Sequence, residues 1–484
     1  MSLGTIDLFM IQVILPEILL LVLALIILFF DLILKGEQRQ NIGWITAGGL
    51  AFIIGAALIF SRPAAEPVLV WGGMLRQDWF GFTLMILLLF AAMITALLSV
   101  NLPVVGDRGE YYLLMLASTL GMSLMVSAGD IIMLYLAIET TSIPLYILAG
   151  FLTRDEKSTE SGFKYLLFGA MTSAVMLYGF SLLYGFAGAT SLYEIAARVQ
   201  EGGLPSVALF TTLLLLLVGF GFKISAVPFH FWAPDVYEGA PTPIAGFLST
   251  ASKAAGFAVL ARVLFAVFPD LTAQWSTFIS ILATLTMTLG NLLALAQRNI
   301  KRLLAYSSIA HAGYILIGLV AVNQLGMTSV IFYLIAYMLT NLAAFGVVLA
   351  YGRIVGSDEI AAYAGLSRRS PTLAFLLLIA LLSLAGMPPF AGFVVKFSVF
   401  AAAVQAGMIW LAVVGVLNSI IGLYYYLTVL KVVYLFRSED EEKPLPVPGS
   451  AWLALGVLSV GIIIIGVLFA PVFGISTLAA ITIY

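Results

Sequence analysis

Long apolar segments follow one another along almost the whole chain, separated by short polar connections. A helix needs about 20 consecutive apolar residues to cross roughly 30 Å of hydrocarbon, and fourteen segments meet this length. They cover residues of about 12–34, 42–62, 79–100, 111–128, 130–152, 163–187, 206–227, 240–264, 275–296, 303–322, 328–351, 371–404, 409–431 and 450–473. The pattern predicts an all-α membrane protein with fourteen transmembrane helices, whose even number places both chain ends on one side of the membrane.

Prolines interrupt the seventh and the twelfth of these predicted helices. Pro228 follows Lys223 by five residues, and the pair Pro388-Pro389 precedes Lys396. A proline inside a helix removes a backbone donor and frees carbonyl groups, which is tolerated at membrane depth only where protein or water satisfies them. Two broken helices spaced five apart have opposite topology, and such pairs are typical of inverted repeats in transporters. The alternative is that each proline produces only a packing kink.

The distribution of basic residues predicts the orientation of the chain. Of the 22 Lys and Arg residues, 15 lie in the odd-numbered connections between predicted helices. The even-numbered connections hold four, which are Arg62, Arg76, Arg198 and Arg262. Because cytoplasmic loops carry an excess of Lys and Arg, we expect the odd connections in the cytoplasm and both termini outside it.

Composition supports the membrane assignment and excludes several classes of function. The 484 residues are 62% hydrophobic and only 10% charged, without cysteine and with two histidines, whereas soluble domains are about 25% charged. Cysteine-ligated zinc and iron–sulfur clusters are therefore excluded, and two histidines leave little scope for haem ligation. The net charge is −2 and the basic residues are scattered, so the sequence predicts no basic surface that would bind a nucleic acid.

Four charged residues fall within predicted spans and form the most informative set of the sequence. They are Glu139, Lys223, Lys253 and Lys396. A charge at the bilayer centre costs about 2.5–3.5 kcal/mol on insertion scales, so such residues usually face a bundle interior and mark ion or proton pathways. The alternative is that each charged side chain only joins helices or extends to an interface. Four charges in four different helices make this alternative the weaker explanation.

These residue types suit reversible proton transfer. Burial disfavours the charged forms of both lysine and glutamate, and a nearby opposite charge restores them, so a Glu–Lys pair that separates releases a proton. His311, within the tenth span, is a candidate relay group because an imidazole accepts a proton on one nitrogen and donates from the other; the alternative is a hydrogen-bonded core histidine. We interpret His230 as structural or interfacial, and we expect Glu17 and Asp31 at the two ends of the first helix.

Two polar stretches have simpler interpretations. Residues 191–206 contain too few apolar positions to span a membrane and are predicted to form an external amphipathic or loop segment. The acidic run at residues 439–442 is predicted to be a solvated cytoplasmic loop, with docking of another subunit as the alternative.

Five strings along nearly the whole chain resemble the antiporter-like membrane subunits of respiratory complex I, and among these the subunit N type. The strings are ILPEILLLVLALIILFFDL, FKYLLFGA, PFHFWAPDVYEGAPTPIAGFLSTASKAAGFAVLAR, NIKRLLAYSSIAHAGYIL and AGMPPFAGFVVKF. The resemblance implies fourteen helices with two inverted five-helix repeats, at helices 4–8 and 9–13. The corresponding division is 1–110 for helices 1–3, 111–268 for the first repeat, 269–436 for the second and 437–484 for helix 14.

The same resemblance implies the site and its role. Glu139, Lys223, Lys253, His311 and Lys396 match the proton-relay positions of helices five, seven, eight, ten and twelve of that family. A lysine at position 396 differs from the glutamate of the M-type subunit. The implied function is proton translocation within an NADH-quinone oxidoreductase, driven by quinone reduction elsewhere in the complex, with ferredoxin as electron donor in photosynthetic relatives.

The resemblance also implies the surroundings of the chain. The chain binds no cofactor itself, while NAD(H), FMN, iron–sulfur clusters and quinone belong to the whole complex. Its neighbours are the M-type and K-type membrane subunits and lipid. The implied location is the bacterial inner membrane with both termini periplasmic, or the thylakoid membrane in a photosynthetic relative. Two alternatives stay open, a subunit of a multisubunit sodium/proton antiporter and an inert scaffold subunit.

Overall fold

The computed structural model describes residues 7–102, 105–201, 205–438, 443 and 445–483. Its α-helices are α1 (Leu8–Val13), α2 (Leu15–Ile33), α3 (Asn41–Phe60), α4 (Trp79–Ser99), α5 (Gly109–Ser127), α6 (Ile131–Ala149), α7 (Glu156–Ala187), α8 (Leu192–Gln200), α9 (Ser206–Ile224), α10 (Trp232–Gly239), α11 (Thr242–Phe247), α12 (Lys253–Val267), α13 (Thr272–Leu295), α14 (Ile300–Val320), α15 (Gln324–Val355), α16 (Leu366–Arg369), α17 (Pro371–Ala385), α18 (Ala391–Gln405), α19 (Ile409–Leu435), α20 (Gly449–Val467) and α21 (Ala470–Ile481). The strands β1 (Val68–Val70) and β2 (Leu75–Gln77) pair antiparallel.

The helices follow the apolar pattern of the sequence. Within the described ranges, twelve helical segments are long and apolar enough to cross a membrane. Three shorter apolar helices add to them, namely α17, α18 and α21. The helix α5 is as long as several of the twelve but more polar, because it carries Ser118, Thr119 and Ser123. The chain is therefore an all-helical membrane protein with one small hairpin.

Burial separates a central group of helices from a peripheral one. In their most apolar windows, 94% of the residues of α14 and of α15 are buried, against 28% in α2. The peripheral helices expose large apolar side chains such as Leu25, Phe29 and Phe52. An all-round buried helix is typical of the centre of a membrane bundle, so α14 and α15 form its core.

The bundle has two distinguishable ends, which α7 connects. At the hairpin end, defined by β1 and β2, Arg76 donates to the carbonyl oxygen of Thr482 at 2.8 Å, and Trp71 donates to that of Met10 at 3.1 Å. The described beginning and end of the chain therefore meet at the hairpin end. At the opposite end, Lys157 in the first turn of α7 pairs with Glu238 of α10 at 2.8 Å. The 32 residues of α7 span about 48 Å between these ends.

The helices α6 and α14 begin in the same way at opposite ends of the bundle. At the hairpin end, Asp130 caps α6 and forms a backbone bridge with Ser191. At the other end, Asn299 caps α14 and forms a backbone bridge with Glu359. Asp and Asn accept hydrogen bonds from the first helical N–H groups, so the two starts are chemically equivalent.

Both proline-containing segments are broken, as their sequences predict. The helix α9 ends at Ile224 and is followed by Ser225 in a left-handed conformation, with a φ of 58°. The helix α17 ends at Ala385 and is followed by Gly386 with a φ of 86°. In each case the next backbone N–H closes back onto the last turn, Ala226 onto Gly221 at 2.8 Å and Met387 onto Leu382 at 3.0 Å. Pro228 and Pro389 both lie three residues after the left-handed residue.

The segment at residues 191–206 contains a short helix rather than a span. In α8, Leu192 and Ile195 are buried and Glu194 and Arg198 are exposed, so the prediction of an amphipathic segment is confirmed for its described part. The acidic run at residues 439–442 lies outside the described residues.

Candidate functional site

Glu139 lies nine residues after the cap of α6, about 13.5 Å along the helix from the hairpin end. Its carboxylate accepts a hydrogen bond from the Ser173 hydroxyl of α7. The residue is only half-buried, and the apolar neighbours Leu136 and Ile143 of the same helix are exposed. Glu139 therefore lies at the outer surface of the bundle rather than in its centre.

Lys223 occupies the last turn of α9, directly before the break, and is buried. Its ammonium donates a hydrogen bond to the Ser142 hydroxyl of α6. Ser142 follows Glu139 by three residues, so the two share one face of α6. None of the ion pairs among the described residues includes Lys223 or Glu139; each of the two binds a different serine.

A glycine brings the helix of the second buried lysine against the first. A Cβ atom on Gly256 would lie 3.1 Å from the Cβ atom of Lys223 and 3.1 Å from Ile224. Only a residue without a side chain allows α12 and α9 to approach this closely without displacement. Lys253 precedes Gly256 by three residues and therefore lies one helical turn from this contact.

Lys253 binds the central helix α14. Its ammonium donates to the Ser308 carbonyl oxygen at 2.9 Å and to the Ser308 hydroxyl at 2.5 Å. The preceding segment, Leu248–Ser252, is a π-helical turn. Ser249 on that turn accepts a hydrogen bond from Asn341 at 2.6 Å, so the polar partner of Lys253 comes from another helix and not from its own serines.

His311 lies on α14 one turn after Ser308 and is held on both sides of its ring. Its Nδ1 lies 2.7 Å from the Tyr333 hydroxyl of α15, and its Nε2 lies 3.4 Å from the Tyr426 hydroxyl of α19. Tyr426 is hydrogen-bonded in turn to Ser307. Both ring nitrogens thus contact hydroxyl groups that can either donate or accept, the condition for passing a proton through an imidazole.

Lys396 lies one turn into α18, after the second break. Its ammonium donates to the Ala385 carbonyl oxygen at 3.1 Å and to the Ser419 hydroxyl at 2.9 Å. It also lies 4.8 Å from the centre of the Tyr314 ring, within the range of a cation–π contact. The Ala385 carbonyl is in the last turn of α17, where a helix leaves its carbonyl groups without intrahelical partners.

The helix α14 joins the two groups of predicted site residues. Ser308, His311 and Tyr314 follow one another at intervals of three residues and contact, in that order, Lys253, the two tyrosines and Lys396. The distance along the helix from Ser308 to Tyr314 is about 9 Å. Lys253, His311 and Lys396 are therefore connected through α14, whereas Glu139 and Lys223 bind serines of α7 and α6.

Several residues of this series do not follow from the sequence alone. They are Ser142, Ser173, Tyr333, Ser419 and Tyr426, each of which lies on a different helix from the group it binds. A serine or tyrosine in an apolar segment is common, and only the pair Ser307-Ser308 beside His311 gave a local signal. The partners of a buried charge become visible only when the helices are packed.

A cluster of charges holds α10 at the end opposite the hairpin. Arg302 donates to Asp235 at 2.7 Å and to Glu238 at 2.9 Å, and Lys164 pairs with Asp235 at 2.5 Å. Burial raises the pKa of both carboxyl groups, but hydrogen bonds from these cations and from Lys157 outweigh it, so both pKa values are below their ordinary range. Both carboxylates are therefore ionised at neutral pH. In the described part of the chain, no group of three or more His, Asp or Glu side chains could hold a metal ion.

Comparisons with known proteins agree on one family. The family model described as "NADH:quinone oxidoreductase/Mrp antiporter, TM" matches residues 128–422. NADH-quinone oxidoreductase subunit N of Moorella thermoacetica is 46% identical over 470 residues, which cover 97% of this chain and 98% of that protein. A chain of respiratory complex I from Thermus thermophilus with bound aureothin is 34% identical with a TM-score of 0.79, covering 95% of this chain and 98% of that chain. A chain of the Mrp complex from Dietzia sp. DQ12-45-1b is 21% identical with a TM-score of 0.87, covering 99% and 98%, a similarity of fold alone.

Proposed function

Because the chain belongs to the family of NADH-quinone oxidoreductase subunit N, an antiporter-like membrane subunit of complex I, we propose that it moves protons across the membrane. The protons pass along Glu139, Lys223, Lys253, His311 and Lys396. The observation that carries this proposal is the set of contacts along α14, where Ser308 binds Lys253, the His311 ring contacts that of Tyr314, and Tyr314 contacts Lys396.

The contacts of the lysines support reversible protonation. No carboxylate lies within ion-pair distance of Lys223, Lys253 or Lys396 in the described ranges. Their ammonium groups bind hydroxyl and carbonyl oxygens instead. Since burial without a counter-charge disfavours the ammonium form, each of these lysines can lose its proton at modest cost.

In this proposal the pair Glu139–Lys223 is the input of the relay. With Lys223 bound to Ser142 and Glu139 bound to Ser173, the pair is in its separated state, which favours release of the lysine proton toward Lys253. Rearrangement of neighbouring subunits during quinone reduction would alternately close and open this pair. Each charge moved against 100 mV costs about 2.3 kcal/mol, so the pair must also act as a gate against backflow.

We also propose the finer architecture that the family resemblance implies. Fourteen spans result when α5 and the broken helix α17–α18 are added to the twelve apolar segments. The equivalent starts of α6 and α14 at opposite ends, together with the equivalent breaks after α9 and α17, support two inverted five-helix repeats, within 111–268 and 269–436. Residues 1–110 and 437–484 flank them.

The half-buried position of Glu139, on a face of α6 that exposes Leu136 and Ile143, supports a partner subunit on that face. A carboxylate at this depth on the outside of a bundle is costly in lipid, and a neighbouring membrane subunit that covers α6 removes that cost. We propose M-type and K-type subunits as neighbours, in a bacterial inner membrane with both termini periplasmic. NAD(H), FMN, iron–sulfur clusters and quinone are assigned to the rest of the complex.

The test is the loss of pumping when the buried lysines are neutralised. Lys253→Met and Lys396→Met are introduced into the whole complex, which is purified, reconstituted into vesicles and assayed for NADH-driven acidification and quinone reduction. The control is Lys431→Met on α19, whose side chain is exposed. We expect both buried variants to lose at least about 90% of proton pumping, in line with a relay in which each step is required, and the control to pump normally.

Unchanged pumping in assembled Lys253→Met and Lys396→Met complexes would overturn the relay and favour the inert scaffold. The sodium/proton antiporter alternative is disfavoured by identity, 46% to a subunit N against 21% to a chain of an Mrp complex. Acidification that requires sodium and proceeds without quinone reduction would restore that alternative.

A further inference from the structure

A small cavity lined by both polar and apolar residues lies at the hairpin end, away from the proposed relay. It is bordered by α2, α4, α5 and β2 and has a volume of about 30 Å³. Its polar lining includes Glu17, Ser61, Gln77, Asp78 and Ser127. A volume of this size holds one or two water molecules, and a polar lining is the condition for water to occupy it.

Two buried oxygen atoms of residues that line this cavity lack hydrogen-bond partners among the described residues. Glu17 is only 8% exposed, and its Oε1 accepts a hydrogen bond from the Ser123 hydroxyl at 2.5 Å. Its Oε2 has no partner, nor does the Oε1 atom of the buried Gln77. Buried polar atoms are nearly always satisfied by protein or by ordered water, so two unsatisfied oxygens on residues beside one cavity point to a ligand there that donates hydrogen bonds.

The charges around the cavity determine which ligand fits. Asp78 pairs with Arg76 at 3.0 Å and with Arg262 at 2.8 Å, and Arg76 also lines the cavity. These three side chains together carry one net positive charge. With the carboxylate of Glu17 the four side chains carry no net charge, so the field does not attract a metal cation, whereas water and a proton on the carboxylate are compatible with it.

Two opposing effects act on Glu17 itself. Burial without a cation in contact favours the neutral acid. The hydrogen bond from Ser123 and the position of Glu17 in the first turn of α2 both favour the carboxylate. A carboxyl group on which such effects compete can exist in either form, which is the requirement for reversible proton binding.

We propose that this cavity is a hydrated proton-binding site in which Glu17 is the group that takes up the proton. Its ligands are one or two water molecules and a proton, exchanged with the hairpin end of the bundle. The site is separate from the relay, since none of Glu139, Lys223, Lys253, His311 and Lys396 lines the cavity. Its closest link to the relay is α12, on which Arg262 follows Lys253 by nine residues, about 13.5 Å along the helix.

Infrared difference spectroscopy of the purified whole complex tests this assignment. Spectra are recorded between about pH 5 and about pH 9, a range in which buried carboxyl groups titrate, in H₂O and in D₂O. We expect a carboxylic-acid C=O band that grows as the pH falls and shifts in D₂O. The band should be absent from Glu17→Gln and retained in the matched control Glu110→Gln, whose carboxylate is exposed at the other end of the bundle.

A second variant keeps the test decisive if Glu17→Gln fails to assemble. Ser123→Ala removes the hydrogen bond to Oε1, so the band should move in frequency without disappearing. The proposed site would be overturned if the spectra of Glu17→Gln were identical to those of the parent complex, or if the band did not shift in Ser123→Ala. A band that responds to sodium rather than to pH would indicate a cation site instead of a proton-binding site. The Lys253→Met complex should keep the band, so the failure of the relay and the failure of this site are distinguishable.

Discussion

Gly392, one turn before Lys396, is the position at which a single added methyl group should disturb the relay most. A Cβ atom placed there would lie 1.7 Å from the carbonyl oxygen of Ser383 on the other side of the break. Ordinary van der Waals contact begins at 3.4 Å, so the two helix ends must separate by about 1.7 Å, the difference between these distances. Both atoms nearest to the added Cβ are backbone atoms, which cannot rotate away.

This displacement is large enough to break the contacts of Lys396. Its hydrogen bonds to the Ala385 carbonyl and to Ser419 are 3.1 Å and 2.9 Å long, and a contact of 3.6 Å is no longer a hydrogen bond. Overpacking of this kind costs about 1–3 kcal/mol, which a large membrane subunit in a complex can tolerate. A misplacement of about 1 Å at a reacting group can reduce a rate about 100-fold, so we expect Gly392→Ala to assemble and to pump at least about tenfold more slowly.

The assay is NADH-driven acidification of vesicles containing the reconstituted complex, with assembly checked by native electrophoresis. Gly456→Ala on α20 is the matched control, because nothing lies within 4 Å of its added Cβ and alanine favours a helix over glycine by about 1 kcal/mol. Normal pumping by an assembled Gly392→Ala complex would refute the claim that the geometry of the second break positions Lys396. Equal loss in both variants would refute it as well.

Three further predictions address other parts of the structure. Glu139→Gln should lower the proton-to-electron ratio of the reconstituted complex while keeping the hydrogen bond from Ser173, since an amide oxygen also accepts; an unchanged ratio would remove this residue from the relay. Tyr333→Phe leaves a buried ring nitrogen of His311 without its partner, which costs about 1–3 kcal/mol, and should lower the thermal unfolding temperature of the purified complex; an unchanged temperature contradicts the contact. Arg302→Gln should destabilise the complex at neutral pH and progressively less as the pH falls below about 4. The two carboxylates of α10 have lowered pKa values, so the stabilisation that they provide is complete above their ordinary pKa values near 4 and is lost as the pH falls through the lowered pKa values. A difference in unfolding temperature between variant and parent that stays constant at all pH values would contradict this.

The apolar pattern predicted most helices because crossing a bilayer imposes a length on each one. Helices α2, α3 and α4 begin and end within a few residues of their predicted limits. Prolines identified both broken helices, since a missing backbone donor is visible in the sequence. The hairpin β1–β2, the short helix α10 and the final helix α21 were not predicted, because segments this short carry no periodic signal that distinguishes them from connections.

The charged residues of the candidate site could be predicted from the sequence, but their hydrogen-bond partners could not. Glu139, Lys223, Lys253 and Lys396 are conspicuous because a charge in an apolar segment is costly. Ser142 and Ser308, which bind two of the lysines, lie 81 and 55 residues from them in sequence. Glu17 was expected at the end of the first helix, and the structure places it in the first turn of α2 as expected, but its burial against Ser123 depends on the packing of α2 on α5.

The contacts of α14 have a mechanical consequence. Lys253 and Lys396 come from opposite halves of the chain, yet each binds a side chain of this one helix, about 9 Å apart along its axis. A helix this tightly enclosed moves as a rigid body. A rotation or translation that weakens its contact with one lysine must therefore alter its contact with the other. Any motion that opens one half of the molecule is thereby transmitted to the other half without a separate linkage.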